Sequence, residues 1–355
     1  MNTYDEVLFT EVSGKGGNLG LITLNRPAVL NSLNHAMVNA MHAQLKTWAA
    51  ANHIKAVVIH AAEGRAFCAG GDLRLTYDRI KARDPIMTEF FHDEYQLNRA
   101  IFHFAKPYIA LLDGITMGGG VGISIHGSHR VATDRLLFAM PETGIGFFPD
   151  VGGSYFLPRL PGKMGTYLGL TGARLASDDC IALGLAQVKV AQASLPDVIH
   201  AMAHSVFTTD ARQSVTDILG QFQVAAAPSK LMAEKNAIDA CFSGNTMEEI
   251  MSELQHCTNT VCKDAAGVIA KKSPTSLKVT LHAVQQGKHL DFDACMQQEY
   301  RLVSRFLQGH DFAEGIRAVI IDKDQTPHWK PDTIQGVKQS EIEKYFAPLE
   351  EELCK

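Results

Sequence analysis

Acidic side chains occur in this chain at positions where acids are unusual. Glu142 lies in the nearly apolar run LLFAMPETGIGFFP, directly after Pro141, and Asp150 follows eight positions later. A carboxyl group in such a setting can have a raised pKa and can act as a general base or acid. The structural alternatives are that Glu142 caps a helix or lies on the surface, and that Asp150 is the N-cap of a helix beginning near Gly153.

A third acid, Glu94, lies on the apolar face of a predicted helix. At about 100° per residue, it falls on the same stripe as Phe90, Leu97 and Ile101, opposite the polar residues of that helix. An ionised carboxylate on a core-facing stripe needs a partner, a pocket or a bound ligand. The structural alternative is a salt bridge to a nearby Arg or Lys.

Two glycine clusters, Gly70-Gly71 and Gly118–Gly120, expose backbone N–H groups without side-chain obstruction. The second cluster precedes the apolar stretch Val121–Ile125, which can begin a helix with free N–H donors at its start. Donors that converge from two loops form an oxyanion hole, which would suit acyl-transfer chemistry. The alternative is that these glycines only permit tight turns and close packing.

The elements that must position these residues alternate between strands and helices in the first half of the chain. This order predicts right-handed crossovers and a largely parallel sheet, at whose carboxyl ends ligands gather. Both glycine clusters and Glu142 follow predicted strands. The predicted strands span residues 7–12, 19–24, 56–61, 107–112, 131–133, 136–140 and 187–190.

The second half has helical apolar spacing almost throughout. The one strand predicted there is Ala318–Ile321. We therefore predict a catalytic α/β core over residues 1–205 and a helical carboxyl-terminal region over residues 206–355. The clearest predicted helices of that region lie at 215–222, 247–254, 276–284 and 293–306.

Composition narrows the classes of function. The 355 residues carry a formal net charge of −5, which gives no basic excess for nucleic-acid binding. No apolar run approaches the roughly 20 residues that span a bilayer, so we expect no membrane partner. The seven cysteines are odd in number and lack a C-x-x-C pair, which argues against a disulfide framework and a zinc knuckle. We therefore expect reduced thiols and a cytoplasmic location.

The loops and motifs together resemble the crotonase (enoyl-CoA hydratase/isomerase) superfamily. The resemblance includes the run LNRP, the segments Ala66–Asp72 and Gly114–Gly120, and the pair Pro141-Glu142. The runs TMGGGVGISIHG, LFAMPETGIGFFPDVGGSYFLPRL and DFAEGIRAVIIDKD resemble its 3-hydroxyisobutyryl-CoA hydrolase branch in wording and order. The resemblance implies a spiral ββα core with a helical carboxyl-terminal region.

The resemblance also implies an activity, namely hydrolysis of an acyl-CoA thioester in valine degradation. It implies that Gly71 and Gly119 supply the oxyanion-hole donors and that Glu142 and Asp150 are catalytic. Glu94 matches a substrate-contacting glutamate, and the resemblance implies that Gly119, Glu142 and Asp150 also contact the substrate. No metal or redox cofactor is implied, because CoA arrives on the substrate.

Competing interpretations remain. Hydratases of the superfamily carry a second glutamate where this chain has Gly122, which favours hydrolysis over hydration. An enoyl-CoA hydratase or isomerase and a non-catalytic CoA-binding relative are the alternatives. Related folds often form trimers, so a homo-oligomer is left open.

Overall fold

The computed structural model describes residues 6–353, which divide into two units built from interleaved segments. The predicted boundary at residues 205 and 206 is a division along the chain, and it stays a prediction. The first unit contains the described residues up to Gly71, Gln96–Phe138 and Arg174–Ser229; the second contains Asp72–Tyr95, Ala139–Ala173 and the described residues from Lys230 onward.

The first unit is built on two sheets. A six-stranded sheet has the order β1-β2-β3-β5-β7-β10, and a four-stranded sheet has the order β4-β6-β8-β9. The strands are β1 (Val7–Val12), β2 (Asn18–Leu24), β3 (Ile54–Ala61), β4 (Ala66–Cys68), β5 (Tyr108–Leu112), β6 (Ile115–Met117), β7 (His129–Thr133), β8 (Leu137–Ala139), β9 (Leu175–Ala176) and β10 (Val188–Val190).

The larger sheet is parallel except at one edge, where β1 runs antiparallel to β2. The residues of β5 are all buried, as are four central residues of β3, which suits strands covered on both faces. Ile109 and Val131 belong to one apolar cluster with side chains from two helices of the unit, residues 195–204 and 211–220. All seven strands predicted in the first half are present, and the α/β class is confirmed.

The helices follow the predicted segments within a few residues. Asp84 accepts a hydrogen bond from the Ile86 N–H, which fixes the start of the helix that carries Glu94. The helices are α1 (His35–Ala50), α2 (Leu73–Ala82), α3 (Ile86–Phe102), α4 (Gly119–Ile125), α5 (Gly153–Phe156), α6 (Met164–Thr171), α7 (Ser177–Ala182), α8 (Leu195–His204), α9 (Ala211–Gly220), α10 (Lys230–Ala233), α11 (Lys235–Cys241), α12 (Met247–His256), α13 (Thr260–Ile269), α14 (Pro274–Gly287), α15 (Phe292–Phe306), α16 (Asp311–Ile316) and α17 (Gln339–Phe346).

The second unit is mainly helical, with irregular segments such as residues 322–338, and α14 packs against α5, α6 and α17. The predicted strand Ala318–Ile321 is wrong, because the chain continues from α16 into a π-helical turn over Arg317–Ile321. Apolar β-branched residues suggested a strand, but Arg317 bonds to the carboxylates of Glu314 and Asp324 and holds the segment in a helical turn. Local ion pairs thus override strand propensity at this position.

Two further features bear on the expectations from composition. Within residues 6–353, no helix combines the length and apolar character that crossing a bilayer requires. The six cysteines in the described part of the chain are all free, and Cys354 lies outside the described residues.

Candidate active site

The two glycine loops lie against each other in the first unit. They leave the neighbouring parallel strands β4 and β6, in which Ala66 pairs with Ile115. A Cβ atom placed on Gly70 would lie 3.6 Å from the backbone nitrogen of Gly119, and one on Gly120 would lie only 2.2 Å from the carbonyl oxygen of Cys68. Gly70 also has φ of +109°, so this contact between loops requires glycine for both space and conformation.

Gly71 and Gly119 carry backbone N–H groups for which the described residues provide no backbone acceptor. Gly119 is the first residue of α4, where an N–H has no partner inside the helix. The Leu33 N–H donates to the Gly70 carbonyl at 2.8 Å and anchors the other loop. Among the described residues, neither the Gly71 nor the Gly119 N–H has a backbone acceptor. The two N–H groups therefore lie on neighbouring loops and make no backbone hydrogen bond within residues 6–353.

The three acids singled out in the sequence belong to the second unit, and all are buried. Glu142 and Asp150 are each 5% exposed, and Glu94 is 2% exposed. Electrostatic repulsion from Asp150 contributes to the raised pKa values of Glu94 and Glu142, so the three carboxyl groups are close enough to interact. Buried like charges disfavour simultaneous ionisation, and this group therefore retains protons at higher pH than free carboxyls do.

Glu142 begins the 3-10 helix Glu142–Ile145, and its side chain makes no capping bond there. Neither structural alternative for Glu142 holds, since it is not a cap and is not on the surface. Its Oε2 atom is buried without a hydrogen-bond partner among the described residues. Burial and the charge of Asp150 raise its pKa well above 4.5, while the charge of Lys272 acts in the opposite direction. A carboxyl group held in this way is ready to accept or donate a proton.

Aromatic packing fixes the segment between Glu142 and Asp150. The Phe147 ring stacks on Phe312 with centroids 4.3 Å apart and meets Phe306 edge-on at 5.4 Å. A Cβ atom on Gly146 would lie 2.2 Å from the carbonyl oxygen of Asp311, so the backbones of these two residues pack closely together. The motif DFAEGIRAVIIDKD thus supports the loop that carries the two acids.

Asp150 is held by Tyr95, whose hydroxyl donates to Oδ2 at 2.9 Å. The short helix α5 begins after Gly152, which provides no side-chain cap, so Asp150 is not the N-cap that its position suggested. Burial raises the pKa of Asp150 to about 7, and the Tyr95 bond opposes that rise. Asp150 can therefore change its protonation state near neutral pH.

Within residues 6–353, Glu94 does not form the salt bridge that was the structural alternative. Its Oε1 atom is buried with no hydrogen-bond partner in the part of the chain that the structure describes. Burial, followed by the charge of Asp150, raises its pKa well above 4.5. A buried oxygen without a hydrogen-bond donor lowers the stability of the fold by roughly 1–3 kcal/mol. A group that binds a ligand can carry such a cost.

Glu299 on α15 was missed by the sequence analysis. It accepts hydrogen bonds from the Gly152 N–H at 2.7 Å, the Ser154 N–H at 2.8 Å and the Ser154 hydroxyl at 2.6 Å. Burial raises its pKa to about 8, and the Ser154 bonds oppose that rise. The same helical-wheel test that identified Glu94 would have found it, since Glu299 falls within about 40° of Phe292 and Phe306.

Lys272 and Asn98 were also missed. Lys272 is the cation whose charge acts on Glu142, and burial lowers its own pKa. No motif or periodicity in the sequence indicated that electrostatic interaction. Asn98, in the first unit, is fully buried, and neither its Nδ2 nor its Oδ1 has a partner among the described residues. It falls about 20° from Met87 on the α3 stripe, so helical spacing could have identified it.

Each half of this chemistry is characteristic of acyl transfer. The first unit offers two N–H groups on neighbouring glycine loops, and the second offers three interacting acids with one cation. Backbone N–H donors can stabilise an oxyanion, and acids with raised pKa values can donate or accept protons. Cys68, two positions before Gly70, is a free cysteine and is buried.

Comparisons with known proteins agree on one family. The family model described as "Enoyl-CoA hydratase/isomerase" matches residues 19–346. The chain is 44% identical over 351 residues to a Danio rerio protein named 3-hydroxyisobutyryl-CoA hydrolase, mitochondrial, covering 98% of this chain and 90% of that protein. The Homo sapiens protein of the same name is 42% identical, over 94% of this chain and 88% of that protein.

A solved structure is also similar over nearly its whole length. It is described as a carnitinyl-CoA dehydratase from Mycobacterium thermoresistibile, with a TM-score of 0.90, 38% identity and coverage of 98% of both chains. An enoyl-CoA hydratase from Rhodobacter sphaeroides follows, with a TM-score of 0.87, 37% identity and coverage of 97% of this chain and 98% of that one.

The names of the relatives also correct one expectation. The curated relatives are named as mitochondrial, so the cytoplasmic location predicted from the cysteines is wrong. Unpaired cysteines report a reducing environment, and they do not identify the compartment that provides it.

Proposed function

The chain belongs to the enoyl-CoA hydratase/isomerase family, and we propose that it hydrolyses an acyl-CoA thioester. The proposed substrate is 3-hydroxyisobutyryl-CoA, with 3-hydroxyisobutyrate and CoA as products and valine degradation as the context. The observation that carries the proposal is the presence of two buried acids, Glu142 and Asp150. Both have raised pKa values, and neither side chain caps the helix that follows it. The curated relatives at 41–44% identity bear the corresponding hydrolase name.

In the proposed reaction the Gly71 and Gly119 N–H groups donate to the thioester carbonyl oxygen. Attack at the carbonyl carbon places negative charge on that oxygen, and the donors stabilise the charge as it develops. Removing one donor of this kind typically costs about 3 kcal/mol of barrier. Support comes from the contact between the two loops and from the unused N–H groups.

Glu142 is the proposed group that starts the attack. It either removes a proton from water, which adds to the carbonyl carbon, or adds directly and forms an acyl anhydride that water then cleaves. A single turnover in oxygen-isotope-labelled water distinguishes direct water attack from an anhydride that is cleaved at the carboxyl carbon of Glu142. Direct attack places the label only in the acid product, whereas that cleavage leaves an unlabelled product oxygen supplied by Glu142 and places the label in the Glu142 carboxylate.

Asp150 is the proposed acid for the leaving group. The carbon–sulfur bond breaks, the thiolate of CoA departs, and Asp150 supplies its proton or orients the hydroxyl of the substrate. A pKa of about 7 suits this role because a fraction of the group is protonated at neutral pH. We propose that Glu94 contacts the acyl group, and that no metal or redox cofactor takes part in the reaction.

Hydration of an enoyl-CoA is the second candidate. The similar solved structures are described as a dehydratase and a hydratase, and this observation favours it. Gly122 speaks against it, because that position lies within α4 and offers no second carboxylate for adding water across a double bond. A non-catalytic CoA-binding protein is a third candidate, which the retained buried acids disfavour.

One experiment separates these candidates. The purified chain is given 3-hydroxyisobutyryl-CoA and crotonyl-CoA in parallel, with release of free thiol and loss of the enoyl absorbance as the two signals. The proposal predicts rapid thiol release from the first substrate and little absorbance loss with the second. Rapid absorbance loss without thiol release would establish a hydratase, and tight CoA binding without either signal would establish a non-catalytic protein.

A further inference from the structure

Three cysteine side chains of the second unit meet at one point. Cys241 ends α11, Cys257 follows α12, and Cys262 lies in the first turn of α13. Their sulfur atoms all lie within 4.8 Å of one another. The intervals along the sequence are 257 − 241 = 16 and 262 − 257 = 5 residues. The absence of a C-x-x-C pair therefore did not exclude a cluster, because the fold assembles it from three helix ends.

Hydrogen bonds that do not involve sulfur anchor the three helices on which these cysteines lie. Asn259 caps α13 by accepting from the Cys262 N–H at 3.3 Å, and its amide donates to the Glu234 carboxylate at 2.6 Å. Thr246 and Glu249 form a capping box at the start of α12. The thiols are therefore brought together by the scaffold, which lowers the conformational cost of binding a ligand there.

The spacing of the sulfur atoms fits a shared metal ion. Metal–thiolate bonds of about 2.3 Å, arranged trigonally, place sulfur atoms about 4 Å apart. A disulfide instead requires two sulfur atoms at about 2 Å and would leave the third thiol unused. Burial also fits, because Cys241 and Cys262 are buried while Cys257 is partly exposed and offers a path of entry.

From this geometry we propose that Cys241, Cys257 and Cys262 bind one soft d10 metal ion, such as Zn²⁺, Cu⁺ or Cd²⁺, through three thiolates. Soft thiolate ligands select such ions over hard, oxygen-seeking ones. Binding exchanges three thiol protons for the ion, with no change of oxidation state. None of the acids assigned to the reaction lies on α11, α12 or α13, so the ion joins three helix ends and takes no part in hydrolysis. The earlier expectation that the chain holds no metal stays a prediction, which this proposal opposes.

The test uses the full chain, reduced and freed of metal under anaerobic conditions, and titrated with Cd²⁺. The thiolate-to-Cd²⁺ charge-transfer absorption should saturate at one ion per chain. Cys257→Ser should abolish this absorption or weaken the affinity by more than about a hundredfold, the upper range for loss of an outer-shell partner. Because Cys257 is partly exposed, its substitution should leave the fold intact, as circular dichroism checks. Cys180→Ala, on α7 of the first unit, is the control and should bind as the parent does.

Competition identifies the natural type of ion. Displacement of bound Cd²⁺ by Zn²⁺ or by Cu⁺ ranks the two, and either result supports the site. Three outcomes would overturn the proposal: no charge-transfer signal at micromolar Cd²⁺, an unchanged signal in Cys257→Ser, or a disulfide within the cluster that persists in the reduced preparation. Thiol release from 3-hydroxyisobutyryl-CoA is measured on the same samples, and we expect equal rates with and without bound metal. The two readouts therefore distinguish failure of the metal site from failure of the proposed hydrolase.

Discussion

The hydroxyl group of Tyr95 donates a 2.9 Å hydrogen bond to Oδ2 of Asp150, and both residues are buried. This bond favours the ionised form of Asp150, while burial favours the protonated form and raises its pKa to about 7. Tyr95 therefore sets both the direction and the acidity of the carboxyl group that we propose as the acid for the leaving thiolate.

Tyr95→Phe removes this bond and keeps the ring. A hydrogen bond to a charged group contributes about 1.5–3 kcal/mol, so the pKa of Asp150 should rise by about one to two units. If Asp150 acts as an acid, activity falls as pH rises through its pKa, and the alkaline limb of kcat/KM should move upward by the same amount. We expect kcat to fall between about tenfold and a hundredfold through lost orientation. An alkaline limb in the same place would remove Asp150 from that role.

Asp150 also links stability to pH. Because its pKa is raised from 3.8 to about 7 in the folded state, that state holds the proton more tightly than the unfolded chain does. The contribution of Asp150 to stability is therefore fully present below 3.8 and is lost as pH rises to about 7. The full span is on the order of 4 kcal/mol.

Asp150→Asn should flatten this dependence, as measured by denaturant unfolding across that pH window. The exposed acid Asp217 on α9 provides the control, because Asp217→Asn should leave the slope as it is in the parent chain. Equal slopes in the parent and in Asp150→Asn would show that the carboxyl group titrates normally.

The contact between the glycine loops can be tested with alanine. In Gly120→Ala the added Cβ would lie 2.2 Å from the Cys68 carbonyl oxygen and must push the loops apart. We expect a loss of about 1–3 kcal/mol in the free energy of unfolding. If the Gly119 N–H is displaced, kcat should fall by about a hundredfold or more.

Gly220→Ala is the matched control for Gly120→Ala, since no atom lies within 4 Å of its added Cβ. Its activity should be that of the parent; comparable activity in both variants would refute the close contact.

Glu299 can be tested as a positioning residue for the loop after Asp150. Glu299→Gln keeps the volume of the side chain but replaces one carboxyl oxygen with an NH₂ group. That group cannot accept the hydrogen bonds that the Gly152 and Ser154 N–H groups donate to Glu299. One buried donor loses its partner, which should cost about 1–3 kcal/mol of unfolding free energy. Glu253→Gln, on the exposed side of α12, should be neutral. If Glu299 acts through Asp150, the alkaline limb of kcat/KM should also shift; a stability loss without that shift would make its role structural alone.

Much of the fold could be predicted because local patterns decide it. The apolar run of β3 and the Asp84 cap of α3 are signals within a few residues, and both elements form as predicted. The strand expected at Ala318–Ile321 failed because ion pairs to Arg317, which propensity does not include, determine the backbone there.

The candidate site was predictable where an acid interrupts an apolar pattern, as at Glu94 and Glu142. The electrostatic interaction of Lys272 with Glu142 was not predictable, because the two residues are 272 − 142 = 130 positions apart and no local signal links them. The meeting of Cys241, Cys257 and Cys262 was missed for the same reason. Contacts between distant segments depend on tertiary packing, which periodicity does not encode.

The most direct test of the account is thiol release from 3-hydroxyisobutyryl-CoA by the parent chain and by Glu142→Gln, at equal folded concentration. The glutamine keeps the size of the side chain and removes its ability to take a proton or to attack. We predict steady thiol release by the parent chain and a kcat at least about a hundredfold lower in the variant. Near-equal release by the two proteins would contradict the account.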